Sequence, residues 1–224
     1  MQIIAKNLYK EYGEGDSKVI ALDGVSLDIE SHDFISVIGP SGSGTSTLFH
    51  ITSGLDTPTS GTVSYDGQDI YSMPDKQLSA FRRQKVGFIF QQFNLLPVLT
   101  AKENIVMPLL LDHQKPDEKH LRTITELLGI GNRLDHLPSE LSGGQQQRVA
   151  IARALIAKPG IIFADEPTGN LDSKSGGEVM EMLKEIWRKL GTTLLIITHD
   201  NRVARMADRQ FQIVDGALSE VTAR

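Results

Sequence analysis

Nine residues constrain this chain more than any others: Gly39-Pro40-Ser41-Gly42-Ser43-Gly44-Thr45-Ser46-Thr47. An apolar run, Phe34-Ile35-Ser36-Val37-Ile38, precedes them, and a helix-like run through Leu48, Phe49 and Ile51 follows. Strand, glycine-rich loop and helix in that order are the setting of a phosphate-binding loop. Glycines let the backbone fold tightly enough for several N–H groups to face one anion, and the helix N-terminus adds partial positive charge. The spacing is that of G-x-x-x-x-G-K-[ST] with one break, because Thr45 stands where that motif has lysine. A surface turn of small residues is the plain alternative, and the flanking strand and helix weigh against it.

Composition bounds the rest. A chain of 224 residues suffices for one domain with a substantial core and subdomains. Apolar residues make up 40% and charged ones 23%, a globular balance. The net charge of −5 disfavours a broad nucleic-acid face, so no nucleic-acid partner is expected. No cysteine is present, which removes disulfides and cysteine metal sites and fits a reducing compartment. Residues 1–6 lack the apolar core of a signal peptide. No stretch approaches the ~20 apolar residues of a membrane-spanning helix, and the greasy piece Val106 to Leu111 contains Pro108. Any membrane connection is therefore expected to run through another chain.

Along the chain, Val25, Leu27 and Ile29 alternate with Ser26, Asp28 and Glu30, predicting a half-buried antiparallel strand within residues 1–30. Tyr12, before a polar loop, is either a purine platform or a packed strand-end tyrosine. Residues 61–67 form a short strand with an Asp-Gly turn, 75–84 fit a helix, and Val86 to Phe90 read as a buried parallel strand ending at Gln91. From 92 to 157 the periodicity is helical, as in Leu121, Ile124, Thr125 and Leu128, with Gly129 and Gly131 as stops. Its last element opens Leu141-Ser142-Gly143-Gly144-Gln145, where Ser142 and Gln145 have capping-box spacing. Two glycines in a first turn are poor helix formers, yet they suit a backbone that approaches a phosphate. Ile161 to Ala164 form a buried strand before Asp165-Glu166. A helix fits 175–190, with Ser175 and Glu178 as a second capping box and Val179, Met182, Leu183, Ile186 and Leu190 on one face. Residues 192–197 form a strand ending at Thr198-His199-Asp200, and 209–221 form a hairpin around Asp215-Gly216.

Four polar features thus follow four strands, at the edge where open α/β folds gather ligands: the glycine loop, Gln91, Asp165-Glu166 and His199. Together they suit a magnesium-nucleotide site. Ser46 can supply a hydroxyl to Mg²⁺, Asp165 can hold the ion, Glu166 can polarise a water, and His199 can orient the γ-phosphate. A lone His or Gln at a strand end is usually a solvated cap. An acidic pair after four apolar residues is less often accidental, because carboxylates beside a buried strand need a partner.

With Leu141 to Gln145 some twenty residues before Asp165, the chain resembles the ATP-binding cassette (ABC) family over essentially its whole length. The resemblance implies an α/β P-loop NTPase (RecA-like) core over 1–91 and 158–224 with an antiparallel β-subdomain, and an inserted helical subdomain over 92–157. It makes Gly39 to Ser46 the Walker A loop, with Thr47 beside it, Ile161 to Asp165 Walker B, and Glu166 the catalytic base. Gln91 becomes the Q-loop glutamine, a further Mg²⁺ and nucleotide contact, His199 the switch histidine, and Tyr12 the adenine-stacking aromatic. Asn170-Leu171-Asp172 matches the D-loop. It further implies a head-to-tail homodimer around two ATP molecules, with Ser142, Gly143, Gly144, Gln145 and Asp172 reaching the partner's nucleotide. Phe88 to Pro97 and Ala164 to Asp172 look like the lipoprotein-release and macrolide-export (LolD/MacB-like) branch. That likeness implies membrane-spanning permease subunits as partners and a peripheral place at the cytoplasmic face of the cell membrane. Phe93, Leu95, Leu96 and Leu99 either line a groove for a permease helix or fill the helical subdomain. Cargo is not encoded, because a cassette touches nucleotide and partner helices only.

Two residues depart from the family pattern. Thr45 removes a positive charge from the place where negative charge shifts during phosphoryl transfer, so weak or negligible hydrolysis is expected with some nucleotide binding retained. His32 stands where the family usually has glycine, and a left-handed backbone there is unfavourable for histidine. A regulatory or scaffold subunit without turnover is the alternative that Thr45 favours. A soluble ABC ATPase of DNA repair or translation would show long insertions, zinc cysteines or two cassettes, and the sequence has none of these.

Overall fold

The structure, a computed structural model, describes residues 1–221, with Asp16 described by its backbone alone. In chain order the strands and helices are β1 (Ile3–Tyr12), β2 (Val19–Ile29), β3 (Phe34–Ile38), α1 (Thr45–Thr52), β4 (Ser60–Tyr65), β5 (Gln68–Asp69), α2 (Asp75–Lys85) and β6 (Val86–Phe90). There follow α3 (Ala101–Leu111), α4 (Glu118–Leu127), α5 (Gly143–Leu155), β7 (Ile161–Asp165), α6 (Ser173–Leu190), β8 (Thr193–Ile197), α7 (Asn201–Ala204), β9 (Arg209–Val214) and β10 (Ala217–Val221). The chain forms two compact units, one of Met1–Ser79 with the chain from Thr193 onward, the other of Ala80–Thr192.

The first unit holds an antiparallel sheet in the order β2-β1-β4-β5 and a run of strands in the order β10-β9-β3-β8. Val25, Leu27 and Ile29 are buried on β2 and their neighbours exposed, as the alternation predicts. Strand β3 pairs in parallel with both β8 and β9. Phe34-Ile35-Ser36-Val37 and Thr193 to Ile197 are buried throughout, as near-continuous apolar runs of parallel strands covered on both faces are. Ser36 is tolerated there because its hydroxyl donates to the Ala204 carbonyl at 3.0 Å. The β9–β10 hairpin turns on Asp215 and Gly216 at φ +47° and +77°, the type I′ pattern that a two-residue hairpin prefers.

His32 lies in the turn before β3 at φ +71°, with its amide donating to Thr193 Oγ1 at 3.1 Å. The left-handed conformation costs a residue with a Cβ roughly 1–2 kcal/mol, and glycine's larger entropy loss on folding returns roughly 0.5–1 kcal/mol of that. His32→Gly is therefore expected to stabilise the protein by about 0.5–1 kcal/mol, read as an upward shift of the urea midpoint with an unchanged m-value.

The second unit pairs β6 and β7 in parallel from Val86↔Ile161 to Phe90↔Asp165. Helix α5 lies against β6 so closely that a Cβ on Gly87 would come within 2.7 Å of the Ala154 carbonyl oxygen. Thr100 and Glu103 cap α3 reciprocally, and α4 buries Leu121, Ile124 and Thr125. Helix α6 corrects two details of the sequence reading. It starts at Ser173, because the Asp172 carboxylate accepts from the amides of Lys174 and Ser175, so Ser175 is not the cap. Met180 joins Val179, Leu183 and Ile186 in its buried face, while Met182 is half-buried and Leu190 exposed. Among the described residues, no helix is long and apolar enough to cross a membrane.

Phe163, at the centre of β7 and fully buried, stacks against Phe88 with ring centroids 6.4 Å apart. Phe163→Ala is expected to destabilise by about 3–5 kcal/mol through lost transfer energy and a residual cavity, a loss that urea denaturation followed by circular dichroism would read.

Candidate functional site

In the first unit, the glycine loop leaves β3 and runs into α1. Gly42 and Gly44 take φ +83° and +107°, and no side chain caps the start of α1. Close approach requires the glycines at 39 and 44, and at 44 the positive φ requires one as well. A Cβ on Gly44 would fall 2.2 Å from the Ala21 carbonyl oxygen of β2, and one on Gly39 2.6 Å from the Ile213 carbonyl oxygen of β9. Gly216, at the hairpin tip, donates its amide to the Ser43 carbonyl at 3.0 Å. The Ser43 hydroxyl is buried with no hydrogen-bond partner among the described residues. An orphaned buried hydroxyl costs about 1–3 kcal/mol. In a glycine loop that opens on a helix N-terminus, an anion is a natural group to satisfy it. Pro40, Ser41 and Ser46 are exposed, and Thr45 and Thr47 half-buried, on the same loop and first turn.

Tyr12 closes β1 with its ring 42% exposed. Its hydroxyl donates to Asp56 Oδ2 at 2.7 Å, and Lys10 Nζ lies 4.8 Å from the ring centroid and 3.0 Å from the same carboxylate. Burial first, and then the Asp56 hydrogen bond, raise the phenol above its ordinary value. The structure therefore gives a tethered, half-open ring rather than a packed strand end. His199 is exposed after β8, the parallel neighbour of β3, so it and the glycine loop leave the same end of that strand pair.

The second unit arranges its own set the same way. Phe90 pairs with Asp165, so Gln91 and Asp165-Glu166 leave neighbouring strand ends together. Gln91 Nε2 donates to Asn170 Oδ1 at 3.2 Å, and Asn170 Nδ2 donates back to the Gln91 carbonyl at 3.0 Å. Glu166 adopts φ +45°, a conformation that costs a non-glycine residue about 1–3 kcal/mol and persists only where surroundings hold it. At the start of α5 the expected capping box is present: Ser142 Oγ accepts from the Gln145 amide, and Gln145 Oε1 accepts from the Ser142 amide. As an acceptor in the cap, the Ser142 hydroxyl keeps its own proton to donate outward. Gly143 and Gly144 follow in the first turn. Asp172 is held below the ordinary carboxylate range by the Ser175 hydroxyl and amide, so part of its bonding capacity is used in capping α6.

Three residues the sequence reading passed over organise this unit. Asn104, fully buried, accepts from the Leu96 amide and donates to the carbonyls of Leu96, Leu99 and Thr100. Arg153 donates to the carbonyls of Asn94 at 2.5 Å and Phe93 at 2.7 Å. Gln147, also fully buried, donates to the Pro167 carbonyl next to Glu166. The available signal was a polar side chain inside an otherwise apolar helical run, as Asn104 sits beside Ile105-Val106 and Arg153 between Ala152 and Ala154.

The ABC transporter family model matches residues 22–169. The lipoprotein-releasing system ATP-binding protein LolD of Shewanella frigidimarina is 44% identical over 97% of this chain and 92% of its own length. The macrolide export ATP-binding/permease protein MacB of Marinobacter nauticus is 46% identical over 97% of this chain, which spans 34% of that longer protein. Among solved structures, the dimeric post-hydrolysis state of the ATP-binding cassette MJ0796, bound to ADP and Pi, superposes with a TM-score of 0.88 at 41% identity, covering 99% of this chain and 100% of that one. The fold is accordingly that of a P-loop NTPase cassette. The chain belongs to the ABC transporter family, as an ATP-binding subunit of the LolD/MacB branch.

Proposed function

We propose that this chain binds ATP with Mg²⁺, closes head to tail on two nucleotides with a second copy, and so drives membrane-spanning permease subunits at the cytoplasmic face of the membrane, with hydrolysis impaired by Thr45. One observation carries the nucleotide assignment: a glycine loop whose backbone leaves no room for Cβ atoms at 39 and 44, opening on an uncapped helix and the orphaned Ser43 hydroxyl. The relatives named for lipoprotein release and macrolide export support a role in export or lipoprotein handling.

In the first unit, Gly39 to Thr47 hold the phosphates, Tyr12 presents its open face to the adenine, and His199 orients the γ-phosphate. In the second, Glu166 polarises the attacking water and Gln91 senses the nucleotide. Ser142, Gly143, Gly144, Gln145 and Asp172 address the nucleotide of the other copy. No cluster of three His, Asp or Glu side chains suited to a metal occurs among the described residues. That agrees with Mg²⁺, which is commonly held by one or two carboxylates together with substrate phosphates. Asp165, the Ser46 hydroxyl and the Gln91 amide oxygen are hard donors of the right kind, and the ion would neutralise charge developing on the phosphates.

Thr45 offers a short neutral hydroxyl where a lysine would offer a mobile cation. Loss of one such preorganised donor typically costs ~3–4 kcal/mol of transition-state stabilisation. Thr45→Lys is expected to raise ATP turnover by roughly 10²–10³-fold, measured as phosphate release at saturating Mg-ATP. Equal rates in the two proteins would overturn the account of Thr45. In the Thr45→Lys background, Glu166→Gln is expected to return turnover to the level of the native chain while ATP-dependent dimerisation persists on size-exclusion chromatography. Persisting turnover would remove Glu166 from the role of base. Thr45 also favours a second reading, a regulatory subunit that binds without turnover. ATP-dependent dimerisation of the native chain without any phosphate release would select it.

A further inference from the structure

We propose that Arg153 is a positioning residue: it clamps the segment after Gln91 to the helix that begins at Ser142, so that the two move as one body. The proposal rests on the reading of Gln91 and Ser142 given above and adds the part that couples them. Beyond Gln91 the chain enters a segment without helix or strand, and Phe93 and Asn94 both adopt positive φ, +57° and +50°. Two consecutive non-glycine residues in that region revert to ordinary backbone unless something holds them. The Phe93 amide donates to the Phe90 carbonyl at 3.2 Å, which forms the turn but does not engage the carbonyls it turns outward. Arg153 engages them. Its two terminal nitrogens donate separately to Phe93 and Asn94, a forked arrangement that the planar guanidinium holds in fixed geometry.

The guanidinium is partly buried and makes no ion pair among the described residues, so its charge is directed at two neutral carbonyls. Burial without a counter-ion lowers its proton affinity below the ordinary arginine value. Arg153 lies in the last turn of α5, the helix whose first residues are Gly143 and Gly144. The same helix carries Gln147, which holds the Pro167 carbonyl beside Glu166. A displacement of the glycine end of α5 is thereby handed to the Gln91 segment at one point and to the Glu166 segment at another, over side chains of a single rigid element.

The test uses the full chain and two readouts. Hydrogen exchange compares the native chain with Arg153→Gln and Arg153→Lys. Turnover compares Thr45→Lys with the same substitutions added. In Arg153→Gln, exchange over 92–97, where every residue but Pro97 carries an amide hydrogen, is expected to quicken about tenfold, with β7 and α6 unchanged. The kcat is expected to fall about 10- to 100-fold at unaltered KM, as a misplaced group near a reacting phosphate produces. Arg153→Lys, which keeps the charge and can reach one carbonyl, is expected to recover part of both. Unchanged exchange over 92–97 would overturn the proposal, as would faster exchange throughout the unit or a rise in KM at constant kcat. If Thr45→Lys itself shows no turnover, the reading of Thr45 fails, and exchange over 92–97 alone decides for or against Arg153.

Discussion

The shape of the glycine loop in the first unit depends on main-chain oxygens pressed against it. The Ala21 carbonyl of β2 and the Ile213 carbonyl of β9 stand where Cβ atoms of residues 44 and 39 would be. The hairpin tip at Gly216 bonds to Ser43 on one side and to Asp23 of β2 on the other. Two segments remote in sequence, β2 and the β9–β10 hairpin, thus meet on one loop, and each brings a backbone carbonyl up against it. The loop's curvature is consequently set by packing and not by what it binds. A pre-shaped ring of amides presents its dipoles to an anion with little reorganisation, the condition under which neutral donors bind polyphosphate well.

The second unit solves a different problem with different means. Its candidate site residues sit on or beside segments whose backbone is locally unfavourable: Phe93, Asn94 and Glu166 all have positive φ. Polar side chains issuing from helices hold these segments in place. Asn104 of α3 gathers the carbonyls from 96 to 100, Arg153 takes those of 93 and 94, and Gln147 takes that of 167. Each bond is to backbone, so it fixes chain direction whatever the neighbouring side chain is doing. The Gln147 side-chain oxygen is buried without a partner among the described residues, a cost borne alongside the bond its nitrogen makes. Strain at the functional positions and polar clamps behind them are two halves of one arrangement.

Much of this was legible in the sequence because the governing signals are local. Alternation on β2, uninterrupted apolar runs for β3, β7 and β8, Asp-Gly at the last hairpin and the Ser142–Gln145 box each need only a few neighbouring residues to be read. The start of α6 was misread for the same reason: two capping candidates lie three residues apart, and only the bonds made by Asp172 decide between them. The clamps were not legible, because an arginine within an apolar helical run has no preferred partner at the level of sequence. Its target carbonyls lie about sixty residues away. The loop's glycines were legible as a motif, but their physical cause, carbonyls from β2 and β9, belongs to tertiary packing.

Thr45 separates two properties that a phosphate loop ordinarily combines. Shape and amide dipoles act on the bound polyphosphate and on the transition state alike, and interactions of that uniform kind set affinity without accelerating chemistry. A lysine at 45 would act preferentially on charge that shifts toward the leaving oxygen as the bond breaks, so its absence is expected to fall on turnover more than on binding. Nothing in the backbone around the loop registers the exchange. The positive-φ glycines, the close carbonyls and the uncapped helix are those of a loop built to grip phosphate. On the function proposed above, work done by closing on nucleotide would use the grip to close and a lysine to reopen. With threonine in place, the physical expectation is a subunit that enters the closed state and leaves it slowly.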